Sequence, residues 1–214
     1  MLKNIFGDYI WISNLGNEFL EKYRTKFHDR LNDIKKANID TSSWKYCNVK
    51  SSFFNESLIK NYLVLDFDGM FSEQLMNELN KFFDKMNEIS DGGVKVNDDF
   101  IRVEKIWYNV YEYSDFQEVH CHSGRDSFYS FVYILESKNK ELDSTLVFDN
   151  PRSNVLMTNR FDQLIKIDNY KRNYTPDLDN GYLMIFPSHM NHFVSRHNNP
   201  DENRISISGN IIYG

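Results

Sequence analysis

The chain has 214 residues, 41% of them hydrophobic and 26% charged. That is enough apolar content for one packed domain, or one domain with an added helical layer, and too much for general disorder. Twenty-five Lys and Arg against thirty-one Asp and Glu leave a formal charge of −6, a balance that repels nucleic acid on average, and two cysteines, Cys47 and Cys121, are too few for a disulfide scaffold and point to a reducing, cytoplasmic setting.

The opening stretch, residues 1–14, lacks the long apolar run and small-residue cleavage site of a secretory signal, and no stretch has the apolar length of a membrane span. The first half of the chain reads as mostly helical. From Leu15 to Ala37, Phe19, Tyr23, Phe27, Leu31 and Ile34 recur every three to four positions, which makes one apolar stripe with a charged opposite face. His28 sits among charges on this helix and reads as surface. The segment Asp66-Phe67-Asp68-Gly69 superficially resembles an acidic metal or phosphotransfer loop. The remainder of such a site is missing, so it reads as the end of an extended segment. A second helix is predicted from Phe71 to Ile89, carrying Leu75, Leu79, Phe82, Phe83 and Met86, with Asp91-Gly92-Gly93 as its stop. Both stripes are expected to pack against a sheet.

From Phe100 onward, short runs rich in Val, Ile, Phe and Tyr alternate with turn residues. Strands are predicted at Ile101 to Tyr111, Gln117 to His122, Ser127 to Leu135, Ser144 to Phe148, Gln163 to Ile167, Tyr182 to Phe186, His192 to Ser195 and Arg204 to Ile212. Eight short strands with no long helix between them suggest an antiparallel sandwich or barrel. Residues 1–98 are thus read as a helical support with the first flanking segments and residues 99–214 as the barrel core, together one compact domain.

Five of the six histidines lie between positions 120 and 197. Residues i and i+2 of a strand share a face, so His120 and His122 can address one point while Cys121 faces away. His192 follows the turn Pro187-Ser188-His189-Met190-Asn191, and Arg204 and Ser206 share a face twelve residues later. Two imidazoles from one strand and one from a distant strand suit one side of an octahedral ion, leaving positions for oxygen and a bidentate ligand. An inward Arg beside a hydroxyl suits the carboxylate of that ligand. Asn109, inward in the alternation Trp107, Asn109, Tyr111, and Tyr133 are candidates for ordering the ligand or substrate, with core packing as the competing role for Tyr133. Arg152 is equally a capping residue or a substrate contact. His189 reads as pocket rim or surface, and His197 as exposed loop.

The run from Trp107 to Asn210 resembles the iron(II)- and 2-oxoglutarate-dependent oxygenases, and most of all a branch found in marine bacteria and their phages. The resemblance lies in Trp107-x-Asn109-Val110, in Phe116-Gln117 leading into His120-x-His122, and in Ser130-Phe131-Val132-Tyr133. It continues in Leu146-Val147-Phe148-Asp149 with Pro151-Arg152, in Gly181 to Ser188, in His192-x-Val194, and in Arg204-x-Ser206-x-Ser208-x-Asn210. The order and spacing of the last two blocks are the most specific part.

The resemblance implies a double-stranded β-helix, the jelly-roll, cupin-like barrel of that superfamily, preceded here by helices. It implies Fe(II), 2-oxoglutarate as cosubstrate and O2, with His120 and His192 as iron ligands and Arg204, helped by Ser206, on the distal carboxylate. The activity implied is hydroxylation of a C–H bond with release of succinate and CO2, in a small-molecule or peptidyl substrate. The commonest family pattern has Asp or Glu two residues after the first His, and here that position is His122. His122 is then the third ligand, or stands beside a metal held by two histidines, or is itself the first ligand with a carboxylate such as Asp126 completing the set. Two rival readings use the same barrel: a three-histidine dioxygenase that works without 2-oxoglutarate, and a non-catalytic binding or structural module of a phage particle. No nucleic-acid or membrane partner is expected; a homodimer and a phage-encoded protein acting in a host cytoplasm are both open.

Overall fold

The computed structural model describes residues 1–36, 47–55, 63–92, 100–122, 124, 127–152 and 172–214. The predicted strand at Gln163 to Ile167 and the alternative ligand Asp126 lie outside these residues. The chain opens with β1 (Leu2–Ile5) and β2 (Asp8–Asn14), followed by helix α1 (Asn17–Lys36). Strand β3 (Lys50–Ser51), a 3-10 turn (Ser52–Phe54), the short α2 (Leu63–Asp66) and the long α3 (Met70–Ile89) complete the first half. Then come β4 (Ile101–Tyr111), β5 (Gln117–His120), β6 (Ser127–Glu136) and β7 (Leu146–Asp149). The last strands are β8 (Asn173–Tyr174), β9 (Tyr182–Pro187), β10 (His192–Val194) and β11 (Arg204–Tyr213).

Among the described residues the strands form two antiparallel sheets. The larger has the order β1-β2-β9-β6-β11-β4-β3 and the smaller β5-β10-β7-β8. From β4 to β7 and again from β8 to β11, successive strands alternate between the sheets, the winding of a double-stranded β-helix. The opening residues correct the expectation of a mostly helical first half. Ile5 pairs with Asp8 across Phe6 and Gly7, whose φ values are 57° and 100°. Two successive positive φ angles are what a tight two-residue hairpin turn needs, and glycine supplies one at no steric cost. β2 then docks on β9, with Trp11 opposite Ile185, so the N-terminal hairpin extends the large sheet.

Two apolar cores flank that sheet. On one side α1 contributes Leu20, Tyr23, Phe27 and Ile34 and α3 contributes Phe71, Leu75, Leu79 and Phe82, packed on Phe131, Tyr133, Ile185, Ile205 and Ile207. These are the two stripes read from the sequence, and each large side chain removed from water contributes about 1.5–3 kcal/mol. Trp11 reaches the same layer: its ring stacks on Phe82, and its Nε1–H donates to Glu78 at 2.9 Å. On the other side Ile10, Ile12, Val132, Ile134, Met184 and Phe186 face Leu146, Phe148 and Val194 of the small sheet. Because both faces of the large sheet are covered, a strand such as β9 is apolar on both sides, with Leu183 and Ile185 in one core and Met184 and Phe186 in the other.

The Asp66–Gly69 segment is a structural cap. Asp66 is buried and accepts from the backbone N–H and the hydroxyl of Ser72, at 2.6 and 2.8 Å, at the start of α3. That ties down donors the helix itself leaves unpaired.

Candidate metal centre

The polar face of β11 is the floor of the site. Arg204, Ser206, Ser208 and Asn210 alternate with Ile205, Ile207 and Gly209, and the apolar set packs toward the helices. β4 lies beside it in register, Ser206 opposite Asn109 and Ser208 opposite Trp107. The small sheet supplies the roof. His120 on β5 and His192 on β10 are direct register partners, and His122 follows two residues after His120, where its backbone N–H donates to the carbonyl of Ser188 at 2.8 Å. Residues of the floor and of the roof line one common pocket.

Three rings converge in it. The His120 and His192 ring centroids are 4.3 Å apart, those of His122 and His192 5.0 Å, and those of His120 and His122 5.3 Å. One nitrogen from each lies within 4.8 Å of the others. Nδ1–H of His120 donates to the carbonyl of Glu118 at 2.7 Å, and Nδ1–H of His192 donates to that of Met190 at 2.9 Å. A carbonyl only accepts, so the proton sits on Nδ1 and the lone pair on Nε2. Burial holds the imidazoles in their neutral form: it lowers His120 and His192 below the usual range, and His122 is pushed down to about 4 by burial and by His120. Neutral imidazoles with oriented second nitrogens are what a metal needs from histidine.

Arg204 closes the other end. It is buried, and its guanidinium carbon lies 5.1 Å from the centroid of the Tyr111 ring. The Tyr111 hydroxyl donates to Gln117 Oε1 at 3.0 Å, which braces the ring. Nη1 of Arg204 is buried without a hydrogen-bond partner, and no described carboxylate makes an ion pair with it. Burial lowers the Arg204 pKa, yet a guanidinium stays charged at any ordinary pH. A buried cation with an idle N–H is costly unless an anion completes it. Three neutral imidazoles at one end and a guanidinium with an unpartnered Nη1 at the other therefore fit a divalent metal with an anionic chelator.

The remaining candidates divide. Asn109 and Ser206 line the same pocket, and Asn109 donates to Ser208 Oγ at 3.3 Å while its own Oδ1 is unpartnered. Tyr133 does not face the pocket. It points to the helical side, edge-on to Phe19, Tyr23 and Phe71, and its neighbours Val132 and Ile134 face the other core. Strand parity separates the two faces without saying which one carries the site. His189 and Arg152 are exposed, His189 with its Nε2 3.3 Å from Asp8. His28 lies at the surface, bonded to Glu136 at 2.6 Å. His197, expected in an exposed loop, is instead fully buried. Its Nδ1 accepts from the Ser144 N–H at 3.1 Å and its Nε2–H donates to the Glu202 carbonyl at 2.7 Å. It staples the Arg196–Asp201 loop to the segment that leads into β7, a tertiary role that the polar loop sequence conceals. Tyr111 and Gln117 also line the pocket; Tyr111 shares the parity of Asn109, whereas Gln117 has the opposite parity to His120 and lies on the far side of the register irregularity between β5 and β10, which no local pattern signals.

Residues 105–210 match the family described as "Putative 2OG-Fe(II) oxygenase". No curated protein matches the sequence. Among solved structures, a prolyl-4-hydroxylase from Pseudomonas putida is similar, with 11% identity over 96% of this chain and 92% of its own and a TM-score of 0.53. The viral collagen prolyl hydroxylase vCPH of Paramecium Bursaria Chlorella virus-1, in a 2OG complex, has 12% identity, coverage of 97% and 98%, and a TM-score of 0.52. HygX from Streptomyces hygroscopicus, with nickel and 2-oxoglutarate bound, has 9% identity, coverage of 95% and 82%, and a TM-score of 0.58. At these identities the likeness is one of fold.

Proposed function

The chain belongs to the iron(II)- and 2-oxoglutarate-dependent oxygenases, and from that premise we propose that it hydroxylates a C–H bond of a small-molecule or peptidyl substrate through the His120, His122, His192 and Arg204 constellation. The observation that carries the reading is the pairing of two complementary features in one pocket: three imidazole nitrogens gathered within 4.8 Å, and a buried Arg204 whose Nη1 has no hydrogen-bond partner.

His120, His122 and His192 would hold iron(II) through Nε2. When bound, the iron with 2-oxoglutarate and O2 supplies the oxidising power, and succinate and CO2 are the co-products. All three protein ligands are neutral, so the full charge of the ion remains to attract a dianion, more strongly than where a carboxylate is a ligand. Arg204 Nη1 takes the distal carboxylate as a charge-assisted hydrogen bond, with the Ser206 hydroxyl beside it. Tyr111 keeps the guanidinium in place by stacking, and Gln117 fixes Tyr111. Trp107, Phe148 and Phe186 pack on the histidine rings and exclude water from their surroundings. On this reading residues 99–214 are the catalytic core and residues 1–98 its support. The prolyl hydroxylases of similar fold favour a peptidyl substrate, and a chain with only two cysteines suits a reducing cytoplasm.

The test is anaerobic absorption titration of the purified protein with Fe(II) and then 2-oxoglutarate. A saturable metal-to-ligand charge-transfer band that is lost in R204A is expected. Tight Fe(II) binding with no band would remove 2-oxoglutarate from the reading and leave the oxygen-only dioxygenase.

A further inference from the structure

We propose that Asn210 is the positioning residue that makes His122 a metal ligand, by fixing the proton on Nδ1 of its ring. The inference rests on the reading of His122 as the third ligand.

For His120 and His192 the backbone settles the tautomer, because a carbonyl oxygen sits on Nδ1 of each. Among the described residues no carbonyl of the backbone is bonded to Nδ1 of His122. Its Nδ1 lies 2.9 Å from Ser130 Oγ and 3.0 Å from Asn210 Oδ1. A hydroxyl is indifferent: Ser130 can accept from Nδ1–H, or donate to a bare Nδ1 and leave the proton on Nε2. In the second case His122 would present an N–H where a lone pair is needed. The amide oxygen of Asn210 removes the ambiguity, since two lone pairs facing each other at 3.0 Å repel. Asn210 turns its Oδ1 inward, and Ser130 donates its one hydroxyl proton to that oxygen at 3.2 Å, which leaves Ser130 only lone pairs to offer Nδ1–H of His122. Ser130 is fully buried and bonded to Ser188 Oγ at 2.9 Å, so this small polar cluster is rigid.

The arrangement explains why the polar row of β11 runs on past the pocket floor. Asn210 shares the face of Arg204, Ser206 and Ser208, so one strand addresses the anion end through Arg204 and the His122 ring through Asn210. Partners of this kind around metal-binding histidines carry roughly 10–100-fold in metal affinity.

Two measurements on the full chain test this, neither of them turnover. Long-range proton–nitrogen NMR of the metal-free protein reads which nitrogen of His122 is protonated, and Co(II) titration reads metal affinity. In the wild type the Nδ1–H form is expected. Asn210→Ala should move His122 toward Nε2–H and weaken Co(II) about 10–100-fold. Asn210→Asp, which still accepts at that position, should keep Nδ1–H and bind Co(II) at least as well as the wild type. A merely structural Asn210 would instead lower thermal stability in both variants without moving the tautomer. His122→Ala is the control for the underlying reading. If H122A loses Co(II) while N210A keeps both its tautomer and its affinity, the assignment of Asn210 fails and the ligand role stands. If H122A binds Co(II) like the wild type, the ligand role itself falls.

Discussion

His120 and His192, seventy-two residues apart in the chain, are register partners across β5 and β10, with ring centroids 4.3 Å apart and each Nδ1–H donated to a carbonyl two residues before it. The same i to i−2 device on two facing strands turns both Nε2 atoms into the pocket. Sheet pairing thus assembles the His120–His192 part of the metal centre, and His122 follows just past the end of β5. Replacing His192 with Ala should lower Co(II) or Fe(II) affinity by about 100-fold or more, beyond the effect of losing an outer partner, while circular dichroism shows the sheet content of the wild type. Retention of wild-type affinity in H192A would exclude the three-histidine centre.

Arg204 is expected to cost the metal-free protein stability, because it is a buried charge with an unpartnered Nη1 and no contact ion pair with a described carboxylate, offset only by the longer-range field of Asp143. Arg204→Met, of similar volume, should raise ligand-free stability by about 1–3 kcal/mol in chemical denaturation. The same variant should lose the stabilisation that 2-oxoglutarate with Mn(II) gives the wild type. A loss of stability in R204M would mean that Arg204 is already matched inside the fold.

Tyr133 is placed on the helix side of β6, its hydroxyl buried and unpartnered. Removing that hydroxyl takes away a desolvated group with nothing to lose. Tyr133→Phe should therefore leave 2-oxoglutarate affinity unchanged and shift stability by no more than about 1 kcal/mol, in the favourable direction. A several-fold weaker cosubstrate affinity would put Tyr133 back in the site.

Gly209 lies in β11 under the Phe131 ring. A Cβ there would meet the Lys105 carbonyl oxygen at 2.3 Å and the ring at 2.4 Å. The backbone partner cannot yield without breaking the β4–β11 pairing, so Gly209→Ala should destabilise by about 1–3 kcal/mol or more in urea unfolding.

Glu78 anchors α3 to β2. Burial works to raise its carboxyl, but hydrogen bonds from Lys81, Ser13 and Trp11 outweigh this and lower it below the ordinary value of 4.5. A carboxyl lowered in the folded state adds stability that is present above its unfolded value and is lost as pH falls through the folded one. Stability should decline below about pH 4.5, and Glu78→Gln should be less stable near neutrality with a shallower acid decline. Parallel acid profiles for the two proteins would assign the decline to other carboxyls.

Much of the architecture was legible because periodicity is a local property. The stripes Phe19 to Ile34 and Phe71 to Met86 became α1 and α3, and the strand segments from Ile101 to Tyr111 and from Arg204 to Ile212 match β4 and β11 closely. The hairpin of β1 and β2 was equally local, with Ile10 and Ile12 alternating against Tyr9, Trp11 and Ser13 behind a Phe-Gly turn. It was passed over because that stretch was weighed only as a targeting signal.

What the chain determined by itself was therefore the list of faces: His120 with His122, Arg204 with Ser206, Asn109 with Trp107 and Tyr111. What only the tertiary structure decided was which of two buried faces meets the pocket. Helices cover one side of the large sheet and the small sheet covers the other, so Tyr133 and Asn109, both plausible by parity, part company only when the layers are in place. Burial of His197 and the contact of Asn210 with His122 belong to the same class. Each joins residues 53 and 88 positions apart, at Ser144 and His122, and such pairings depend on strand register between distant segments, which no local pattern encodes.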